Sequence, residues 1–193
     1  MEKHDAILSL VYFASYTAAF RLTSMSAPKV ADLRDIMELD CHFDMGQEEL
    51  YAVKWYKDDQ EFFRYMPRGQ HETRLFPVPG VKLDTRSVDC NKNRCKISLT
   101  DLTKMHSGGA YRCEISSEAP AFRLASETHN VTVAALPRGL PKIDGLAKTY
   151  VEGDTFNAKC TSDYADPEPI LTWKINGLDR KDSIAQGEKR MIS

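Results

Sequence analysis

MELDCHF at residues 37–43, YAVKWYK at 51–57 and GGAYRCEIS at 108–116 are the stretches on which the fold turns. In the first, Met37, Leu39, Cys41 and Phe43 alternate with Glu38, Asp40 and His42. That period of two sends the first set to a core and the second to solvent. In the second, Val53 and Trp55 share one face of a strand and Lys54 and Tyr56 the other. In the third, Tyr111, Cys113 and Ile115 point inward, so Arg112, Glu114 and Ser116 point outward. A cysteine, a tryptophan about 13 residues later and a distant second cysteine are what two packed sheets need: a covalent tie across the core with an indole against it.

That constellation reads as an immunoglobulin-like β-sandwich. Tyr111 stands two residues before Cys113, the place of the tyrosine corner, whose hydroxyl bonds back to the upstream backbone. Where many such domains carry Asp four residues before this tyrosine, the chain has Ser107, so an ion pair often made there is missing. Joining Cys41 to Cys113 closes a loop of about 70 residues, on the order of 4 kcal/mol in the chain-entropy account. The wide gap between Trp55 and Cys113 leaves room for extra strands, with EFFRYM at 61–66 the candidate beside the tryptophan strand. The cysteine–tryptophan spacing recurs once, as Cys160 and Trp173 in a stretch containing ADPEPILTWKING. The expected class is therefore all-β: a variable-type first domain followed by a truncated intermediate-set-type second domain.

The rest of the chain is organised around these points. Residues 6–20, AILSLVYFASYTAAF, have the length of a signal-peptide core, so 1–26 is expected to be a signal peptide or leader. The variable-type domain is expected at 27–135, a Pro- and Gly-bearing linker at 136–144, and the N-terminal part of a second, incomplete domain at 145–193. Expected strands are 36–43, 52–57, 61–66, 81–84, 95–99, 109–116 and 127–134, then 150–151, 155–162 and 170–175. Trp55, Tyr111 and Trp173 are expected in the cores. Cys90 and Cys95 flank NKNR in an expected hairpin, either as a local disulfide staple or as two surface thiols. Cys160 is expected to be unpaired.

Composition excludes several classes. Hydrophobic residues make up 42% and the formal net charge is −2, with no block of like charge to draw nucleic acid or an anionic membrane. No CxxC pair, Gly-rich phosphate loop, G-x-S-x-G or HExxH occurs. Cys41, His42, His71 and His106 lack the short paired spacings of a zinc site. No catalytic residue, metal, cofactor or small-molecule substrate is expected, and no stretch reaches the ~20 apolar residues of a membrane span, so no tether is visible.

The first domain resembles the beaten-path family of arthropod axon-guidance proteins. YAVKWYKDDQEFFRYMPR at 51–68, FPVPGVKLD at 76–84 and GAYRCEISSEAPAF at 109–122 carry the resemblance, the last most specifically through its Glu-Ala-Pro turn followed by Phe122. It covers about 100 residues; ADLRDIMELDC before the first cysteine is compressed relative to the family. The resemblance implies a secreted or cell-surface, extracellular protein that binds a cell-surface immunoglobulin-family partner of the sidestep type, in axon guidance or synaptic partner choice. A homophilic adhesion module and a humoral immune-type receptor are the alternatives. Lys54, Tyr56, Arg112 and Glu114 are the candidate partner-binding residues on the outer face, with Phe63, Tyr65 and Phe122 nearby; alternation sends either Phe62 or Phe63 inward. Asn130-Val-Thr132 is a glycosylation sequon, with Asn130 facing solvent. A glycan there either confines the interface to the other end of the sheet or leaves it elsewhere.

Overall fold

The computed structural model describes residues 19–180. It divides into two compact units, separated in sequence between Val133 and Ala134. Unit 1 contains β1 (Arg21–Ser26), β2 (Val30–Asp32), β3 (Met37–Asp44), β4 (Leu50–Lys57) and β5 (Gln60–Tyr65). It continues with β6 (Thr73–Leu75), β7 (Asp89–Cys90), β8 (Arg94–Leu99), β9 (Gly109–Ser117) and β10 (Leu124–Ala134). One sheet has the order β1-β3-β8-β7 and the facing sheet β2-β10-β9-β4-β5-β6. Unit 1 is an immunoglobulin-like β-sandwich. Strands β5 and β6 beside the tryptophan strand are the additions that make it variable-type.

The core follows from alternation. Met37, Leu39, Cys41 and Phe43 of β3 are buried against Val53 and Trp55 of β4 and Tyr111, Cys113 and Ile115 of β9. The Cys41–Cys113 disulfide joins the two sheets. Cys113 stands opposite Trp55 in the β4–β9 register, so indole and cystine share the centre of the sandwich. Both cysteines and the tryptophan are 0% exposed. The second disulfide, Cys90–Cys95, closes the β7–β8 hairpin.

The ends of the strands are held by specific polar contacts. The Tyr111 hydroxyl donates to the Ser107 carbonyl at 2.6 Å, and burial pushes that phenol's pKa well up. Ser107 does more than leave out an ion pair. Its hydroxyl donates to the Gly80 carbonyl at 2.7 Å and accepts from the Thr103 amide at 2.8 Å, pinning two loops to the corner. Between β4 and β5, Asp58 and Asp59 have φ of 48° and 63°. Positive φ at both central residues gives a two-residue turn the twist that its strands require. The Asp58 carboxylate accepts from the Ala110 amide at 2.8 Å. Gly109, at φ 141°, makes room for it, since a Cβ there would lie 2.5 Å from the carboxylate.

Several expectations are corrected. Arg21–Ser26, expected within a leader, instead pair with β3 as an edge strand, and Met25 is buried. Small polar residues between Leu22 and Met25, together with a register irregularity between Leu22 and Ser24, hid the strand from a search for clean alternation. Residues 1–18 lie outside the described residues. No strand forms at 81–84, where Pro79 and Gly80 turn the chain and Leu83 makes a single bridge to Leu99.

Unit 2 holds β11 (Lys142–Asp144) paired with β12 (Lys159–Thr161), and β13 (Trp173–Ile175) paired with β14 (Leu178–Arg180). The expected linker thus contains a strand, because Lys-Ile-Asp after Pro141 finds a pairing partner. Residues 150–151 form no strand, and the runs at 155–162 and 170–175 shorten to three residues each. Trp173 is only half-buried and so is not the core residue expected; among the described residues of this unit, Ala134 and Ala135 alone are buried. Cys160 carries a free thiol, half-buried on β12.

Two outcomes follow. Gly109→Ala is expected to lower stability by about 1–3 kcal/mol in urea unfolding, through the clash with Asp58 and an unfavourable φ. Arg94 meets Asp40 through Nε at 3.0 Å and Nη2 at 2.6 Å, and that hydrogen bonding lowers the Asp40 pKa despite partial burial. A lowered folded-state pKa gives stability that is present above the unfolded value near about 3.9 and lost as pH falls through the folded one. Screened by solvent, the pair is expected to leave Asp40→Asn less than about 1 kcal/mol less stable at pH 6, with the difference starting to close only below about pH 4 and vanishing once the pH is below the lowered folded pKa.

Candidate interaction face

The outer surface of the six-stranded sheet is laid out in rows by its register. Because Trp55 and Cys113 face the core, their neighbours face out. One row runs Ser126, Glu114, Lys54, Arg64, Arg74 across β10, β9, β4, β5 and β6. The next runs Thr128, Arg112, Tyr56, Glu61.

These two rows are tied together internally. Glu114, 8% exposed, accepts from Lys54 Nζ at 3.3 Å and from the Tyr56 hydroxyl at 3.2 Å. The Arg112 guanidinium lies over the Tyr56 ring, 4.2 Å from its centroid, and reaches Asp59 at 3.2 Å. Arg112 Nε is buried without a hydrogen-bond partner. Burial first, and the Glu114 charge second, push the Tyr56 phenol up to about 12. Arg64 is matched by Glu61 through two contacts, 2.6 and 2.8 Å, and stacks toward Phe76. The four expected residues Lys54, Tyr56, Arg112 and Glu114 are thus brought into one connected cluster, in which Arg112 Nε alone lacks a hydrogen-bond partner.

Phe63 is not part of this face. It is 0% exposed, and Phe62 is 1% exposed with its ring edge-on to Tyr111 at 6.3 Å. The cause is a β-bulge. Trp55 pairs with Phe63 and Tyr56 with Glu61, so Phe62 is an extra residue and two consecutive phenylalanines turn inward. Tyr65 is half-buried, and its phenol is raised by burial and by Glu72.

The apolar part of the face lies at the β9–β10 turn. Phe122 is 75% exposed at φ 46°, Leu124 59% and Tyr51 46%. Leu124 and Ala52 flank Ser116 from opposite sides, and Tyr51 sits in the irregularity between Leu50 and Ala52. The turn is tied to the β3–β4 loop through Glu118 N to Glu49 O, 2.9 Å, and Arg123 to Glu48, 3.7 Å. A cleft of about 560 Å³ at this end is floored by Phe43, Met45 and Leu50. Tyr51 and Leu124 were missed from sequence. Tyr51 shares its parity with Val53 and only the irregular register exposes it, whereas Leu124 was legible by counting outward residues back from Asn130. Asn130 and Thr132 are both exposed, with Asn130 opposite Ala110. Six residues of strand, roughly 20 Å, separate Asn130 from Leu124.

Among the described residues, no group of three His, Cys, Asp or Glu side chains could hold a metal ion, and no helix is long and apolar enough to cross a membrane. No family model matches the chain, and no curated protein does. Among solved structures, a chimeric titin Z1Z2–Z1Z2 tandem functionalised with an exogenous GRGDS peptide from fibronectin is similar, at 19% identity and a TM-score of 0.42. The match covers 62% of this chain and 51% of that one, so the chain spans about half the length of that protein. The immunoglobulin-type assignment rests on the sheets and cystine described above.

The cluster and the apolar end should separate in mutants. Glu114→Ala leaves Lys54 and Arg112 facing one another without their shared anion and is expected to cost about 1–3 kcal/mol. Phe122→Ala, which removes an exposed side chain, is expected to change stability by less than about 0.5 kcal/mol. Thermal unfolding of both variants checks this.

Proposed function

We propose that this chain is an extracellular recognition protein whose variable-type domain binds a cell-surface immunoglobulin-family partner of the sidestep type, in axon guidance or synaptic partner choice. The carrying observation is the pairing of two unlike zones on one face. Phe122, Leu124 and Tyr51 are each exposed at the end of the sheet where β9 turns into β10, and along β4 and β9 from them lies a polar cluster whose charges are already matched. Interfaces take their affinity from a few desolvated aromatic and apolar anchors inside a polar rim. A rim of satisfied charges sets orientation and adds little affinity of its own. The two disulfides suit an oxidising, extracellular compartment. The choice of partner rests on the resemblance at 51–68, 76–84 and 109–122.

In this reading Asn130 carries a glycan that covers the far end of the face and leaves Phe122, Leu124 and Tyr51 clear. Phe122 and Tyr51 are the anchors, while Lys54, Tyr56, Arg112 and Glu114 hold the flat polar surface beside them.

The test is surface-immobilised binding of the glycosylated chain to a panel of sidestep-type ectodomains, with self-association measured in parallel by ultracentrifugation. Phe122→Ala and Tyr51→Ala are each expected to weaken binding at least about tenfold. Asn130→Gln should remove one glycan by mass and leave affinity unchanged. Ser126→Asn, which makes a new sequon with Thr128 beside Glu114, should abolish binding. Absence of binding to every ectodomain, or strong self-association that the Ser126→Asn variant loses, would overturn the heterophilic reading.

A further inference from the structure

The four paired cysteines of unit 1 stand in one line. Cys90 faces Cys95 across β7–β8, Cys95 faces Cys41 across β3–β8, and Cys41 crosses the core to Cys113. Two disulfides therefore share a boundary at the Cys41–Cys95 pair. We propose that Cys90 is a site of thiol attack that opens a relay to the core cystine, giving unit 1 a second disulfide isomer with Cys41 bonded to Cys95 and Cys113 released as a thiol.

Access sets the direction. Cys90 is partly exposed at the edge of the core, whereas Cys41, Cys95 and Cys113 are each 0% exposed, so Cys90 is the one of the four that an external thiolate can approach. Attack there forms a mixed disulfide on Cys90, breaks the Cys90–Cys95 bond and leaves the electron pair on Cys95 Sγ. That thiolate is buried opposite Cys41. Directly paired residues hold their Cβ atoms about 5 Å apart, within about 1 Å of the separation that a disulfide needs. Cys95 Sγ then attacks Cys41 Sγ, the Cys41–Cys113 bond breaks, and Cys113 Sγ takes the electron pair and a proton. The exchange is redox-neutral; the only co-reactant is the external thiol.

Chain entropy barely opposes the swap. The native bridge spans 72 residues and its replacement about 54, which changes the populations by only about 1.5-fold in the loop-closure account. The consequence is mechanical. β9 loses its covalent tie to β3, and Arg112 and Glu114, the neighbours of Cys113, carry the polar half of the candidate face. Any effect on binding rests on the proposed function, while the exchange itself does not.

The experiment separates the two. The whole chain bearing Cys160→Ser is exposed to graded reduced glutathione, quenched in acid, alkylated and mapped by peptide mass spectrometry. Glutathione on Cys90 with a Cys41–Cys95 bridge and label on Cys113, appearing while circular dichroism stays native, is the expected result. In the Cys90→Ser, Cys160→Ser variant no reductant is needed. Incubation at pH 8 should move label from Cys95 to Cys113 over minutes to hours, the range of uncatalysed rearrangement. Label confined to Cys95 with Cys41–Cys113 intact throughout, or a Cys90 that glutathione does not modify in the folded protein, overturns the proposal. If the double variant does not fold, the glutathione arm decides.

Discussion

The Cys41–Cys113 bridge packed against Trp55 is the constraint from which the geometry of unit 1 descends. It crosses between two sheets that share no backbone hydrogen bonds, and it closes a span of 72 residues, on the order of 4 kcal/mol of chain entropy. Its larger effect is on phase. With Cys113 and Trp55 opposite one another and both turned inward, Lys54 and Tyr56 of β4 and Arg112 and Glu114 of β9 are committed to the outer face of the sheet. Lys54, Tyr56, Arg112 and Glu114 are neighbours on the outer face because their own neighbours are neighbours in the core.

The same commitment explains why that face is polar and yet firmly structured. Glu114 is nearly buried on a surface where a lone carboxylate would be costly, and Lys54, Tyr56 and Arg112 converge on it. Such a cluster resists rearrangement, since removing any member strands the rest with incomplete partners. A few residues along, where β9 turns into β10, the surface changes character. Phe122, Leu124 and Tyr51 have no comparable contacts and leave apolar area to water.

The departures from simple alternation are as informative as the rule. One extra residue in β5 turns both Phe62 and Phe63 inward, thickening the core beside Trp55 and Tyr111 and leaving Glu61 and Arg64 to pair outside. The irregularity at Leu50–Ala52 does the opposite and exposes Tyr51. At the corner, Ser107 replaces the usual charge with two short hydrogen bonds, a different route to the same closure between Tyr111 and the Gly80 loop.

Sequence alone determined the sandwich, the inter-sheet cystine, the tryptophan beside it, the tyrosine corner and the outward set Lys54, Tyr56, Arg112 and Glu114. All of these are periodic or fixed-offset features, and a strand with one buried face writes its period into its residues. The hairpin disulfide of Cys90 and Cys95 was one of two open readings, because spacing says nothing of oxidation. Only the tertiary structure decided that Phe63 is core, that Tyr51 is surface, that the domain begins before residue 27 and that Trp173 is half-buried. Each of these depends on a bulge, an edge strand or a partner strand, and those are properties of pairing between distant segments. A bulge inverts the inside and the outside of everything beyond it, and no local pattern of residue types reveals where the register of two strands will slip.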